Sequence, residues 1–483
     1  MPFYSYRRKK SRGVTEKLKK IEIFCKMQNI FFKNPAIRKK LLQSGAFWCI
    51  IYQLENESCP APRGVADRKG NHMKITTVKG TNDYLPEEAL IRDYLQNQIL
   101  EVYRSRGFMR ISTPAIESAE NLDKSEGGEN LNLIFKILKR GDKLAEAMAS
   151  GSEAELSDMG LRYDLTLPLC RYYANNKAKL MSPAKCIQID KVYRAERPQK
   201  GRLREFVQCD IDILGSESEN CEIELMDTTA QALLAIGMKD FTIKVNDRKL
   251  LKSFLTAFGF DPAHFDSICI TMDKLDKIGV DGVAAELKEK AFDESATEKL
   301  MSVIAAGDLS LEKVTEIAED KESAARVARI IESAKILSDG KYGIVYDITL
   351  IRGQGYYTGT VFEVESHEFR GAIAGGGRYD HLIGKFIGES VPAVGFSIGF
   401  ERIFGILMAQ GFKIPNAKEK IVLFYDSDKF IEAARQAEAL RERFTVSMLE
   451  RPKKLGKFLG RIQEAGFDGY LVFGEGDEPK LFA

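Results

Sequence analysis

The chain has 483 residues, enough for two or three domains with buried cores, and a net charge of only +2 excludes a strongly basic overall field. A composition of 44% hydrophobic and 29% charged residues excludes a largely disordered chain. Eight cysteines without a CxxC pair and only four histidines indicate neither a disulfide framework nor a multi-histidine metal site.

The first 72 residues differ in charge from the rest. They carry 16 Lys and Arg against 5 Asp and Glu, a net charge of +11, so the remaining 411 residues sum to −9. The apolar run at 41–54 is too short to cross a bilayer and follows three basic residues, as in targeting segments. Met73 directly precedes a sequence typical of a domain start. The pattern favours Met73 as the true start, with a targeting segment or a helical RNA-binding extension as alternatives.

The first element after Met73 is a predicted helix over 87–107. Proline before two glutamates is typical of a helix start, and an apolar stripe continues to Gly107. A strand is predicted over 108–114, where Pro114 ends it. Two further strands, at 186–194 and 204–214, are separated by nine polar residues, which predicts an antiparallel hairpin with a charged tip.

The strand over 204–214 is polar on one face. Because side chains alternate along a strand, Gln208, Asp210 and Asp212 share this face, whereas the odd positions are apolar. Gln208 and Asp212 would lie about 13 Å apart, a span that suits the two ends of an extended ligand. Such a face either meets water or forms the floor of a polar pocket, and the strand alone leaves both alternatives open.

Residues 263–337 are rich in Ala, Glu, Lys and Asp with helical periodicity, which predicts a helical insertion. Further strands are predicted at 343–351, 358–365, 371–375 and 393–397, followed by a helix at 400–410. Strands in succession with few crossovers predict an α+β domain with an antiparallel sheet. From 421 to 473, strands and helices alternate, which predicts a small α/β domain with a parallel sheet.

The hairpin carries the first family resemblance. An aromatic-Arg-x-Glu run at 193–196, a basic loop and a returning strand resemble motif 2 of class II aminoacyl-tRNA synthetases. The resemblance implies that Arg194 holds the α-phosphate of ATP, that Glu196 contacts the adenine amine and that Phe206 stacks on the ring. A fixed guanidinium suits this chemistry because it offsets the charge that grows on the phosphate.

Two weaker segments point to the same class. Residues 395–402, a glycine-punctuated strand running into a helix, resemble motif 3, which implies that Arg402 clamps the distal phosphates of ATP. In isolation, such an arginine would more often be an ordinary surface residue. The helix over 87–107 with its strand resembles motif 1, which builds a homodimer interface.

Three segments narrow the resemblance to histidyl-tRNA synthetases. Residues 350–363 and 374–380 resemble the two histidine-specific signatures, and 160–166 resembles the strand that holds the ammonium group of the amino acid. The likeness runs from about 77 to 412 and continues into the C-terminal domain. Gly355 departs from the pattern, because many members carry an aspartate there.

The resemblance implies a contact for each part of L-histidine. Asp164, Thr166 and Gln208 are expected to bind the α-amino group, whereas Asp212 and Tyr357 bracket the imidazole with Tyr356 beside them. A pocket with a buried carboxylate and hydroxyl leaves them unpaired when another amino acid enters, so discrimination of roughly 10⁴-fold needs no editing site.

The resemblance also implies the catalytic cations. Arg352 is expected to hold the substrate carboxylate and to share the α-phosphate charge with Arg194, so that Arg194, Arg352 and Arg402 carry catalysis. Magnesium is expected to arrive with ATP and not in a protein metal site. Contact with the tRNA acceptor stem is expected from the hairpin tip, at Gln199, Lys200 and Arg202.

The implied activity is that of a cytoplasmic, homodimeric histidine–tRNA ligase, which forms histidyl-adenylate and transfers histidine to tRNA(His). The expected domains are an extension at 1–72, a class II catalytic domain at 73–415 and an anticodon-binding-like domain at 418–483 that lacks its last elements; no membrane partner is expected. One alternative is the histidine-sensing regulatory subunit of ATP phosphoribosyltransferase, which resembles a synthetase with eroded ATP-binding residues. Another is an RNA-binding pseudo-synthetase.

Overall fold

The computed structural model describes residues 76–124, 132–198, 201–272, 274–351, 355–368 and 371–482. The extension at 1–72 lies outside the described residues, as do three predicted site residues, Gln199, Lys200 and Arg352. Within the described ranges, none of the helices has the length and apolar character needed to cross a membrane.

The described strands follow one another along the chain as β1 (Met109–Arg110), β2 (Ile116–Ser118), β3 (Lys136–Leu138), β4 (Ser157–Leu161), β5 (Ala184–Tyr193), β6 (Glu205–Leu214), β7 (Phe241–Asp247), β8 (Gly343–Tyr346), β9 (Thr360–Ser366), β10 (Ala372–Arg378), β11 (Ala393–Gly399), β12 (Lys420–Tyr425), β13 (Thr445–Glu450), β14 (Gly469–Val472) and β15 (Lys480–Leu481). The described helices are α1 (Pro86–Ser105), α2 (Ala119–Leu122), α3 (Asp142–Ser150), α4 (Thr166–Asn176), α5 (Asn220–Ala235), α6 (Arg248–Phe258), α7 (Phe265–Met272), α8 (Leu275–Glu289), α9 (Glu294–Ala305), α10 (Leu311–Ile317), α11 (Lys321–Ser338), α12 (Gly384–Ile387), α13 (Phe400–Ala409), α14 (Phe430–Leu440) and α15 (Leu455–Glu464).

A large sheet dominates the described chain, with strand order β1-β5-β6-β11-β10-β9-β7-β8. Its central pairs, from β5 to β7, are antiparallel, which confirms the predicted sheet. The two edge pairs, β1 with β5 and β7 with β8, are parallel. The chain between β7 and β8 passes through α6 to α11, and a long crossover of this kind is what a parallel pair requires.

Two strands are shorter than predicted. The strand expected over 108–114 ends at Arg110, because the chain turns to make side-chain contacts: Thr113 Oγ1 donates to Gln188 Oε1 at 3.0 Å, and Arg162 donates to the Thr113 carbonyl at 2.7 Å. The strand expected over 343–351 ends at Tyr346. There Asp347 accepts hydrogen bonds from the amide and hydroxyl of Thr349, and this local turn competes with the sheet.

The central strands of the large sheet are covered on both faces. The odd side chains of β6, including Val207 and Ile211, join the main core, to which α1 and α5 also contribute. A second, smaller core on the opposite face contains Tyr163, Tyr356 and Tyr379. The polar row of β6 therefore lies inside the protein, because the strand is central and both of its faces are covered.

The other predicted regions have the expected character. Residues 265–338 form α7 to α11, as expected of a helical insertion. The C-terminal strands form a separate sheet of order β13-β12-β14-β15, in which β12 is parallel to β13 and β14 as predicted. A short antiparallel strand, β15, adds to this sheet beyond the prediction.

Candidate active site

The polar row of β6 (Gln208, Asp210 and Asp212), called the floor below, is buried. Gln208, Asp210 and Asp212 are 9%, 4% and 4% exposed, so the solvated-face alternative is wrong. Each lies between two neighbouring strands: Asp212 is paired with Cys186 of β5 and with Gly395 of β11. The strands thus fix the spacing of the polar groups along the floor.

Glycines make room for this floor. A Cβ atom on Gly395 would lie 1.9 Å from Oδ1 of Asp212, and one on Gly376 would lie 2.0 Å from the carbonyl oxygen of Gly395. Both distances are far below van der Waals contact. Gly395, in the motif 3 segment, is therefore required for the Asp212 carboxylate to occupy its place, and Gly376, in the second histidine signature, is required for β10 to lie this close to β11.

Tyr379 holds the Asp212 carboxylate. Its hydroxyl donates to Asp212 Oδ1 at 2.5 Å, and both residues are buried. Burial raises the pKa of Asp212 to about 7; the hydrogen bond from Tyr379 opposes the rise, and the charge of Asp164 adds to it. Sequence reasoning gave Tyr379 no role although it lies in the second signature. The available signal was that a buried carboxylate needs a donor.

Asp164 and Thr166 lie where β4 is followed by α4. Oδ1 of Asp164 accepts from the backbone N–H of Leu167 at 3.3 Å, and the residue is 2% exposed. Burial raises the pKa of Asp164 to about 6, against the opposing effects of the Leu167 N–H and the Arg194 charge. The Thr166 side chain is hydrogen-bonded to Tyr356.

Three tyrosines form an aromatic wall beside these acids. The ring centroids of Tyr356 and Tyr357 are 4.9 Å apart, and those of Tyr356 and Tyr379 are 6.0 Å apart, both with edge contacts. All three residues are buried. Through this wall the predicted pair Tyr356 and Tyr357 lies close to Tyr379 and, through it, to Asp212.

A serine links two polar groups of the floor. Nε2 of Gln208 donates to Ser397 Oγ at 2.7 Å, and the same side chain is hydrogen-bonded to Asp210. Burial, followed by the charge of Asp212, raises the pKa of Asp210 well above its usual range, while Ser397 and Arg194 act against the rise. No role was predicted for Asp210 or Ser397.

Arg194 lies within electrostatic reach of these acids. Its Nε donates to the carbonyl of Tyr163 at 3.0 Å, and its guanidinium carbon is 5.0 Å from the centroid of the Phe206 ring. Its charge lowers the pKa values of Asp164 and Asp210. A predicted phosphate-binding cation is therefore brought beside Asp164, a predicted ammonium ligand, and beside Asp210.

The hairpin tip gathers the other predicted ATP-binding groups. Glu196 forms an ion pair with Arg202 at 3.5 Å, and its backbone carbonyl accepts from Arg204 at 3.1 Å. Nε of Arg402 donates to the carbonyl of Gly201 at 3.4 Å. Glu196 and Arg202 thus belong to this tip, and Arg402 contacts it. Two further residues of the tip, Gln199 and Lys200, lie outside the described residues.

An unpredicted ion pair supports the floor from the main-core side. Arg92 of α1 donates to both carboxylate oxygens of Glu401, at 2.6 and 2.8 Å, and Glu401 also accepts from the backbone N–H of Val207 at 3.1 Å. The first helix is thereby tied to β6 and to the residue before Arg402. Among the described residues, no group of three or more His, Cys, Asp or Glu is placed to hold a metal ion.

Comparison with known proteins gives a consistent family. The sequence model described as histidyl-tRNA synthetase matches residues 80–403. A histidine–tRNA ligase of Leifsonia xyli subsp. xyli is 39% identical over 426 residues, which cover 84% of this chain and 97% of the relative.

Solved structures agree with the sequence match. Histidyl-tRNA synthetase from Nostoc sp. PCC 7120 is 27% identical, with a TM-score of 0.68 over 83% of this chain and 91% of its own. A Bacillus halodurans structure described as an ATP phosphoribosyltransferase regulatory subunit/histidyl-tRNA synthetase has a TM-score of 0.67 at 20% identity, a likeness of fold alone.

Proposed function

Because the chain belongs to the histidyl-tRNA synthetase family, we propose how its buried pocket performs the reaction of a histidine–tRNA ligase. The enzyme is an aminoacyl-tRNA synthetase that uses ATP, histidine and tRNA. It activates L-histidine to histidyl-adenylate and transfers the histidyl group to the 3′ end of tRNA(His). The observation that supports the site most directly is the position of Arg194, whose Nε donates to the carbonyl of Tyr163 at 3.0 Å, next to the buried Asp164.

Histidine lies along the floor in this proposal. Its ammonium group meets Asp164 and Gln208, with Thr166 alongside, and its imidazole meets Asp212. An N–H of the imidazole donates to the Asp212 carboxylate, which Tyr379 already holds in place. Tyr356 and Tyr357 supply the aromatic wall and a hydroxyl for the other ring nitrogen. An amino acid without an imidazole N–H leaves the buried carboxylate of Asp212 unpaired, which is the basis of selectivity.

In the activation step the carboxylate of histidine attacks the α-phosphate of ATP, although both groups are negatively charged. We assign the α-phosphate to Arg194 and Arg352, and the distal phosphates to Arg402, with magnesium carried by ATP as part of the substrate. Phe206 and Glu196 bind the adenine. The fixed guanidinium groups offset the charge that develops on the α-phosphate, and pyrophosphate leaves as the histidyl carboxylate becomes bonded to phosphorus.

The tRNA meets the enzyme at two places in this proposal. The acceptor end approaches the hairpin tip at Gln199, Lys200 and Arg202, and its terminal 3′-hydroxyl attacks the carbonyl carbon of histidyl-adenylate and releases AMP. The α/β domain at 418–483 is assigned to the anticodon. Residues 73–415, with the helical insertion, form the catalytic domain, and we place the enzyme in the cytoplasm, where tRNA is charged.

A homodimer is part of the proposal. Three large apolar side chains on the motif 1 side are open to solvent: Leu90 is 45%, Met109 47% and Ile116 52% exposed. Met109 lies on β1, an edge strand of the large sheet. Exposed apolar groups beside an unpaired sheet edge suit an interface between two copies. Light scattering of the purified chain tests the dimer, and a monomeric mass at micromolar concentration contradicts it.

The regulatory-subunit alternative is not favoured. The curated relatives that match most of the chain carry the name histidine–tRNA ligase, and the predicted ATP-binding residues Arg194, Glu196 and Arg402 are all in the sequence. A regulatory subunit that only senses histidine needs none of these groups for nucleotide chemistry. The third alternative, a pseudo-synthetase, predicts tRNA binding without amino acid activation.

Histidine-dependent ATP–pyrophosphate exchange tests the function. We expect exchange with L-histidine and background rates with the other amino acids. A regulatory subunit or a pseudo-synthetase gives no exchange, so a folded but inactive protein contradicts the proposal. Arg402→Ala serves as a control for nucleotide chemistry, because it is expected to remove exchange while histidine binding by calorimetry stays within a few-fold of the wild type.

A further inference from the structure

Among the buried side-chain oxygen atoms without a hydrogen-bond partner in the described part of the chain, three lie at the predicted histidine site. They are Oδ2 of Asp164, Oε1 of Gln208 and Oδ1 of Asp210, and each residue is less than a tenth exposed. A buried acceptor without a donor destabilises the folded protein, and it does so more strongly when it is charged. Three such acceptors at one site therefore indicate that a ligand supplies the donors.

The three atoms belong to one place. Gln208 and Asp210 are two residues apart on the same face of β6, roughly 7 Å along the strand. Asp164 is close enough for its charge to act on Asp210, and the charge of Arg194 acts on both acids. The acceptors thus surround the end of the pocket that the α-amino group occupies in the proposed function.

Ser397 is hydrogen-bonded to two of these three side chains, Gln208 and Asp210. Because Nε2 of Gln208 is bonded to Ser397 Oγ, the other end of the amide, Oε1, remains for a donor. The hydrogen bond between Ser397 and Asp210 fixes that carboxylate in the same way. The Thr166 side chain, by contrast, is hydrogen-bonded to Tyr356. This predicted ammonium ligand therefore already has a partner within the protein.

We infer that Asp210 is an ammonium-binding residue, the third acceptor beside Asp164 and Gln208 for the α-amino group of histidine. A primary ammonium group carries three N–H donors, which matches the three unsatisfied acceptors. The inference rests on the proposed histidine pocket and adds to it a second carboxylate. With two acids around one cation, the pocket selects for the protonated amine.

Ligands that differ at the amino group test this inference. Histidinol keeps the ammonium and the imidazole of histidine, whereas imidazolepropionate lacks the ammonium. Binding of both to the full-length chain is measured by calorimetry and by ligand-observed NMR, which detects weak binding. The variants are Asp210→Ala and the isosteric Asp210→Asn, with Asp164→Ala as a matched control at an acceptor already assigned to the ammonium.

We expect Asp210→Ala to weaken histidinol binding by roughly 10- to 100-fold, as for loss of a charged hydrogen bond, and imidazolepropionate binding by less than about threefold. Asp164→Ala should show the same selectivity, whereas Asp212→Asn should weaken both ligands because both keep the imidazole. Asp210→Asn retains the shape of the side chain, so binding of the two ligands can be compared in this variant if Asp210→Ala does not fold.

Two results overturn the inference. Equal loss for both ligands means that Asp210 supports the pocket as a whole, and wild-type histidinol binding in both variants means that its carboxyl is a buried acid without a ligand. Failure of the function is distinguishable: a wild type without histidine-dependent exchange refutes the proposed function, whereas an active wild type with silent Asp210 variants refutes only the role of Asp210.

Discussion

Replacing Asp212 with asparagine should stabilise the ligand-free enzyme against unfolding and should raise its KM for histidine. The wild-type carboxylate is 4% exposed, and burial raises its pKa from 3.8 to about 7. Between these two pH values the folded protein keeps a proton that the unfolded chain has released. Stability conferred at low pH is therefore lost as the pH rises through this window.

The size of the effect follows from the shift. At 1.36 kcal/mol per pKa unit, a shift of about three units corresponds to roughly 4 kcal/mol at about pH 8, and to roughly 1–2 kcal/mol at about pH 5. Asparagine removes this term and keeps an oxygen that accepts from Tyr379, at a cost of about 1 kcal/mol for the weaker hydrogen bond. The variant should thus be more stable by a few kcal/mol at about pH 8, with little difference at about pH 5.

Catalysis should change in the opposite direction. Asparagine cannot offer a charged acceptor to the imidazole N–H, and loss of a charged hydrogen bond of about 1.5–3 kcal/mol raises the KM for histidine by roughly 10- to 150-fold. Urea unfolding without ligand at both pH values, together with ATP–pyrophosphate exchange, measures the two effects. A variant that is less stable than the wild type at the higher pH, or that keeps the wild-type KM, refutes the assignment of Asp212.

Three further changes test other parts of the site. Arg194→Ala should lower the exchange rate by about 10²–10³-fold through loss of charge stabilisation at the α-phosphate, measured as kcat; a rate within tenfold of wild type contradicts its role. Gly395→Ala should raise the KM for histidine and lower the melting temperature, because its Cβ would lie 1.9 Å from the Asp212 carboxylate. Gly405→Ala, in open space within α13, is the matched control; it should leave the KM unchanged and should not lower the melting temperature, because alanine favours a helix more than glycine does. In the wild type, the KM for histidine should fall as the pH rises from about 6 to about 8, because the pKa values of Asp164 and Asp212 are about 6 and 7 and only the ionised acids accept from the ammonium and the imidazole. A flat profile shows that neither acid titrates with binding.

The sequence pattern alone predicted much of the site. Alternation along 204–214 placed Gln208, Asp210 and Asp212 on one face, and the structure buries all three. Periodicity also predicted the helices of the insertion and the parallel strands of the C-terminal sheet. These features depend on neighbours within one strand or helix, and such information is present in the chain itself.

Only the tertiary structure decided that the polar face of β6 is buried and which residues it contacts. The strand pattern was equally compatible with water, because burial depends on β11, α4 and the tyrosines, which come from distant parts of the chain. The same holds for Tyr379 and Ser397, whose hydrogen bonds to Asp212 and Asp210 join residues more than 150 positions apart. A side chain's residue type states which hydrogen bonds it can make, but its partner is set by the packing of separate strands.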